Sequence, residues 1–132
     1  MNYIDELIAL GMPAADYAVF GSGPLAIRGL RQNDDIDIIA RPGLWAEIAA
    51  RFPENTIGEE AVEIKIGHVS IFKDWLPWFE DSASLIDTAD VFDGVRFVNL
   101  DNVLAWKKSR AREKDKIDIE LINEYLRYED KS

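Results

Sequence analysis

A chain of 132 residues with 48% hydrophobic and 30% charged residues is long enough to bury one core and too apolar for a disordered segment. Its net charge of −10 argues against a general nucleic-acid binder, which needs Lys and Arg against phosphate, and zero cysteines exclude disulfides and thiolate metal sites. Apolar runs fall far short of the ~20 residues that cross a bilayer, and "MNYIDELIAL" is too short and too acidic for a secretion signal. These bounds predict a small cytoplasmic domain, residues 1 to 132, with no membrane contact.

Residues 3 to 11 predict a short amphipathic helix, with Ile4, Leu7 and Ile8 on one side and Gly11 as its stop. "DYAVF" reads as a buried strand ending at Phe20, and Gly23-Pro24 open a helix to about Leu30, since proline suits a first helical position. In "DIDIIA", the next strand, Asp35 and Asp37 alternate with Ile36 and Ile38, giving one acidic and one apolar face. A helix over 44 to 52 follows, with Leu44, Ile48 and Phe52 on one face. "AVEIKIGHVSIF" predicts a hairpin turning at Gly67-His68, where a lone histidine is a turn residue without the second one a zinc site would need. Beyond the aromatic "KDWLPWFEDS" come a short helix near 82 to 90 and a strand in "VRFVNL". A helix from 103 to about 112 is capped by Asp101 or Asn102, and a last helix from 115 to 128 carries Ile117, Leu121, Ile122 and Tyr125 on one stripe. Trp45, Trp75, Trp78 and Trp106 read as packing residues, the "IFKDWLPWF" cluster being the one place where a tryptophan would stack on a base or a partner chain. The order predicts a mixed α/β (α+β) class, with helices flanking a mixed sheet and a C-terminal helix pair.

Two carboxylates on one face of a strand repel unless a cation neutralises them. Mg²⁺ (or Mn²⁺) does so with hard oxygen ligands, typically one or two carboxylates plus substrate phosphates. Upstream, Gly21-Ser22-Gly23-Pro24 joins a strand end to a helix start, where backbone N–H groups and the Ser22 hydroxyl suit phosphate. Charge is uneven as well. Residues 107 to 116, "KKSRAREKDK", hold six basic and two acidic residues, a local +4 that leaves −14 elsewhere. Such a run is either a solvated helix face or a local anion site.

Strand, Gly-Ser, helix and then "DDIDII" resembles the nucleotidyltransferase superfamily that includes DNA polymerase β. "NLDNVLAWKKSRAREKDKIDIELI" is similar to the end of the small AbiEii-like members. Residue by residue, Gly21 and Ser22 match the turn, Asp35 and Asp37 the metal pair, and Lys107 and Asp115 the later motifs. The resemblance implies transfer of a nucleoside monophosphate from an NTP to a hydroxyl on RNA, protein or a small molecule, nucleic acid entering only as an acceptor. In it Asp35 and Asp37 hold the metal, and Gly21, Ser22 and Gly23 the triphosphate. Lys107, helped by Arg28 or Arg31, neutralises phosphate, while Asp115 meets the nucleotide or caps the helix and orients Lys107.

The family's third carboxylate is expected where this chain has Ser70. Glu63 is the first substitute and Asp74 the second. Without one, the alternative is a catalytically degenerate module that binds nucleotide or a protein partner. So short a chain leaves little room for an acceptor-binding domain. A homodimer or partner protein would complete the site, and the AbiEii-like resemblance implies a toxin–antitoxin or defence pair.

Overall fold

The computed structural model describes the chain except residues 58–62, 75–78, 80, 111 and 131–132, and of residue 130 the backbone alone. The expectations for Trp75 and Trp78 lie outside the described residues. Seven described strands form one sheet: β1 (Tyr17–Phe20), β2 (Ile36–Ala40), β3 (Thr56–Ile57), β4 (Glu63–Ile66), β5 (Val69–Phe72), β6 (Asp90–Phe92) and β7 (Val95–Phe97). Their spatial order is β3-β4-β5-β2-β1-β7-β6, with β2–β5 and β1–β7 parallel and the other neighbours antiparallel. The helices are α1 (Ile4–Ala9), α2 (Gly23–Ala26), α3 (Pro42–Arg51), α4 (Ser82–Asp87), α5 (Leu100–Arg110) and α6 (Glu113–Asp130). This is the mixed α/β class expected from the sequence. None of the described helices is long and apolar enough to cross a membrane.

Alternation along the central strands sorts side chains into two cores. Tyr17, Val19, Ile36 and Ile38 face α1 and α3 through Leu7, Leu44, Trp45 and Ile48. Trp45 carries its indole N–H inside by donating to the Ile71 carbonyl at 3.2 Å. On the other face Ala18, Phe20 and Ile39 meet Leu25, Leu85, Ile86, Val103, Trp106 and Ile122. Phe20 is fully buried and packs edge-on against Trp106, ring centroids 4.9 Å apart. Asp35 and Asp37 share the parity of Ile39, so the carboxylates project from this second face.

Four local expectations are corrected. The second helix stops at Ala26 instead of about Leu30, and the chain passes Gly29 in the left-handed region at φ 75°. In the region given to one helix over 82 to 90, α4 ends at Asp87 and β6 begins at Asp90. The β6–β7 hairpin turns on Asp93-Gly94, both at positive φ, which is the Asp-Gly turn that matches strand twist. The cap of α5 is Asn99, whose Oδ1 accepts from the Asn102 N–H at 2.9 Å, rather than Asp101 or Asn102. Ile117 is 65% exposed, and Asp115 and Asp118 take the buried positions before Ile122, which is buried as expected with Leu121 and Tyr125 packed against the same core.

His68 sits in the β4–β5 turn as expected, stacked on Tyr3 at 3.8 Å with Nδ1 2.8 Å from Glu6. Asn33, absent from the sequence-based expectations, is buried just ahead of β2. Its amide donates to the carbonyls of Asn2 and Asp35 at 2.9 and 3.0 Å, and its oxygen accepts from the Asn2 N–H at 2.8 Å. One side chain thus ties the first residues to the loop that presents Asp35. Asn33→Ala leaves buried backbone groups unpaired and is expected to cost about 2–3 kcal/mol in urea unfolding.

Candidate active cleft

Strand register builds the first wall. β1 and β2 run antiparallel with Phe20 opposite Asp37, so the chain leaving Phe20 as Gly21-Ser22 passes alongside the start of β2. Gly21 takes φ 65°, and a β-carbon there would lie 3.0 Å from Asp37 Oδ2. The carboxylate therefore packs directly on the glycine backbone. A β-carbon on Gly23 would run into Val19 Cγ1, which fixes the second glycine by packing. Ser22 heads α2, yet its side chain makes no capping hydrogen bond, and it lines the cleft.

The cleft, about 310 Å³, is lined by Gly21, Ser22, Asp34, Asp35 and Asp37 on this wall and by Trp106, Lys107, Arg110, Arg112 and Lys114 opposite. Burial, then the charges of Asp35 and Glu63, push the Asp37 carboxyl up to about 7, with Lys65 and Arg110 pulling the other way. An anionic Asp37 is thus costly where it stands.

The two substitutes for a third carboxylate do not join the pair. Ser70 lies beside Asp37 in the parallel β2–β5 register, buried. Glu63 stands on β4 opposite Phe72, which itself pairs with Ile39. That places it two strands from β2, roughly 10 Å at ordinary strand spacing; its charge reaches Asp37 but its oxygens do not bridge to it. Asp74 follows the end of β5 that lies beside Ile39, away from Asp35. Among the described residues, no group of three or more His, Cys, Asp or Glu side chains converges on a metal position.

The second wall rests on buried charge. The inner stripe of α5 runs Leu100, Val103, Trp106 and then turns basic at Lys107 and Arg110, while that of α6 starts acidic at Asp115 and Asp118. The helix turn brings these ends together. Lys107, only 4% exposed, has Nζ 2.9 Å from Asp118 and 3.6 Å from Asp115. Arg31 meets Asp118 at 2.8 Å, and Asp115 takes Arg110 at 2.7 Å and Arg112 at 3.0 Å. The Arg112 N–H also donates to Asp115 Oδ2, a reach-back across the first turn of α6. Burial opposes the charge of Asp115, but the Arg112 hydrogen bond and the Arg110 and Lys107 charges outweigh it and hold its carboxyl down at about 2.

Of the residues singled out in the sequence, Gly21, Ser22, Asp35, Asp37 and Lys107 gather at one cleft. Gly23 supports the turn from beneath. Asp115 lies behind the basic wall as its organiser. Arg28 is a correction: its guanidinium donates to the Pro24 carbonyl at 2.7 Å and to Asp90 at 2.9 Å, between the Phe92 and Tyr125 rings. It braces the Gly-Ser-Gly-Pro turn from another face instead of lining the cleft. Arg110, Arg112 and Lys114 were marked only as part of the basic run 107 to 116, and Asp118 not at all. Their signal was the spacing of three between Lys107 and Arg110 and again between Asp115 and Asp118, which puts both pairs on facing helix stripes.

Compared with protein-family models, curated proteins and solved structures, the chain has no match. The class defined here is chemical: a mixed α/β domain with a carboxylate pair on a central strand, packed on a glycine-serine turn and facing a basic helix end.

Two stability tests follow from this electrostatics. Gly21→Ala forces a β-carbon onto Asp37 at positive φ and is expected to cost about 1–3 kcal/mol by thermal unfolding. The two carboxyls act in opposite senses with pH. Asp115 is stronger in the fold than when unfolded, so its contribution is full above about pH 4 and drains as pH falls towards 2. Asp37 binds its proton more tightly in the fold, so stability falls as pH rises from about 4 to about 7. Asp37→Asn is accordingly expected to stabilise the protein at pH 8 by about 1–3 kcal/mol in urea unfolding, and Asp115→Asn to destabilise it by a similar amount or more.

Proposed function

We propose that the cleft binds a nucleoside triphosphate with Mg²⁺ (or Mn²⁺) and transfers its nucleoside monophosphate to a hydroxyl acceptor. The observation that carries this reading is the Asp37 carboxylate set on the Gly21 backbone beside Ser22, across a cleft from Lys107, Arg110, Arg112 and Lys114. An acidic wall suits a divalent cation, and a basic wall suits the phosphates that accompany it.

The donor set fits the metal. Asp35 and Asp37 offer hard oxygens from one strand face, and two carboxylates are what Mg²⁺ takes when phosphates and water complete its shell. The upward-shifted Asp37 carboxyl gains most from an arriving cation. When bound, the ion supplies neutralisation of phosphate charge and polarisation at phosphorus. The chain's own residues bind and orient: Asp35 and Asp37 anchor one side, and the Gly21-Ser22 turn admits phosphate close to the backbone. In the transfer the acceptor oxygen bonds to the α-phosphorus, its proton passes to water, the bond to the β-phosphate oxygen breaks and pyrophosphate leaves.

Ser70 beside Asp37, with no third carboxylate at the pair among the described residues, favours one second reading. In it the chain binds metal-nucleotide without transfer and acts through a partner protein or a second copy, as in a toxin–antitoxin or defence pair.

Calorimetric titration of ATP, GTP, CTP and UTP with Mg²⁺ tests both readings. Metal-dependent binding of at least one NTP is expected in the wild type and is lost in Asp35→Ala/Asp37→Ala. Because cation binding needs ionised Asp37, affinity is expected to rise between pH 6 and pH 8 and to level off above the carboxyl's value of about 7. Label transfer from an α-³²P-NTP to an acceptor separates the readings: transfer supports the first, and metal-dependent binding without transfer in the presence of candidate acceptors supports the second.

A further inference from the structure

Within the basic wall the cations are not equivalent. The Lys107 ammonium is committed, its Nζ lying between Asp118 and Asp115 at the 4% exposure of the residue. Arg112 gives Nε to Asp115 at 3.0 Å. Arg110 differs. Its Nη2 donates to Asp115 Oδ1 at 2.7 Å, its guanidinium carbon lies 3.6 Å over the Trp106 ring, and its Nε–H is buried with no hydrogen-bond partner among the described residues.

A buried guanidinium N–H left unpaired costs free energy that an acceptor would recover. The surrounding contacts explain why the side chain stays there: Asp115 fixes one end of the fork and Trp106 supports its plane. Trp106 is itself fixed by Phe20, the residue directly before the Gly-Ser turn. Arg110 lines the same cleft as Gly21, Ser22 and Asp37.

We infer that Arg110 is the phosphate-binding residue of the cleft, donating its unpaired N–H to a phosphate oxygen of the nucleotide, and that Lys107 is a positioning residue which holds Asp115 and Asp118 in place behind it. This assignment rests on the nucleotide reading above and moves the phosphate contact from the lysine to the arginine. Four cations, Arg31, Lys107, Arg110 and Arg112, surround two buried carboxylates, so the cluster keeps two positive charges beyond those its own acids neutralise. A polyphosphate is the ligand class that such a surplus beside a carboxylate pair selects. Lysine is a poor substitute at position 110, because it lacks both the plane that lies on Trp106 and the Nε–H donor.

The test uses the full chain and two probes, Mg-ATP and metal-free tripolyphosphate. Arg110→Lys keeps the charge and is expected to weaken both by roughly ten- to a hundredfold, the worth of one charge-assisted hydrogen bond. Lys107→Met removes the cation between Asp118 and Asp115 and is expected to weaken both probes by less than Arg110→Lys does, with the Arg110 Nε–H signal still moving on tripolyphosphate addition. Should Lys107→Met fail to fold, a wild-type measurement suffices. In ¹⁵N spectra the Arg110 Nε–H signal, assigned by its loss in Arg110→Lys, moves downfield on tripolyphosphate addition. Unchanged affinity in Arg110→Lys, or an Nε–H signal that does not move at saturating tripolyphosphate, overturns the assignment. Tripolyphosphate binding that depends on Arg110, with no binding of any Mg-NTP, upholds the anion contact and overturns the nucleotide reading alone.

Discussion

The cleft depends on a charge arrangement that no water reaches easily: Asp115 and Asp118 buried at the start of α6 against Lys107 and Arg110 at the end of α5. Ions in such a place are tolerated only when each meets a partner of good geometry, and removing one partner strands the others. Helix ends make the placement consistent. Cations near the C-terminus of α5 and anions in the first turn of α6 both suit the local helix dipole. From this knot follow the angle between the last two helices, the shelf that Trp106 offers and the basic wall opposite the carboxylates.

The other wall is set by strand pairing instead. Once Phe20 opposes Asp37, glycine at position 21 is the residue that lets a carboxylate lie on the backbone. Burial then does electrostatic work that the pair's spacing alone does not. Asp35 and Asp37 share a face, and burial, with the charges of Asp35 and Glu63, shifts the Asp37 carboxyl to about 7.

Period-two alternation in "DIDIIA" and the break at Gly21-Ser22-Gly23-Pro24 made β1, β2 and the acidic wall legible in the sequence, because those signals are local. The hairpin at Gly67-His68 was legible for the same reason. What escaped was set by tertiary contact. Ile117 fits a hydrophobic stripe in one helix considered alone; Asp118 wins the inner position because Lys107 and Arg31 wait there. Arg28 carries a suitable charge near the turn, yet Asp90 and two aromatic rings draw it to another face. The Asp93-Gly94 hairpin fell in residues 91 to 94, to which the sequence reading gave no element. The place of Ser70 beside Asp37 was anticipated from its motif position, whereas the distance of Glu63 required the strand order.

The two walls come from opposite ends of the chain, residues 21 to 37 and residues 106 to 118. During synthesis on a ribosome the acidic half emerges long before its basic counterpart. For most of that interval the nascent domain holds an acidic pair with nothing opposite to draw in an anion. The basic wall is held only once α6 brings Asp115 and Asp118 against Lys107 and Arg110. A chain ending before Asp115 would keep the acidic wall and lack the carboxylates that hold the basic one.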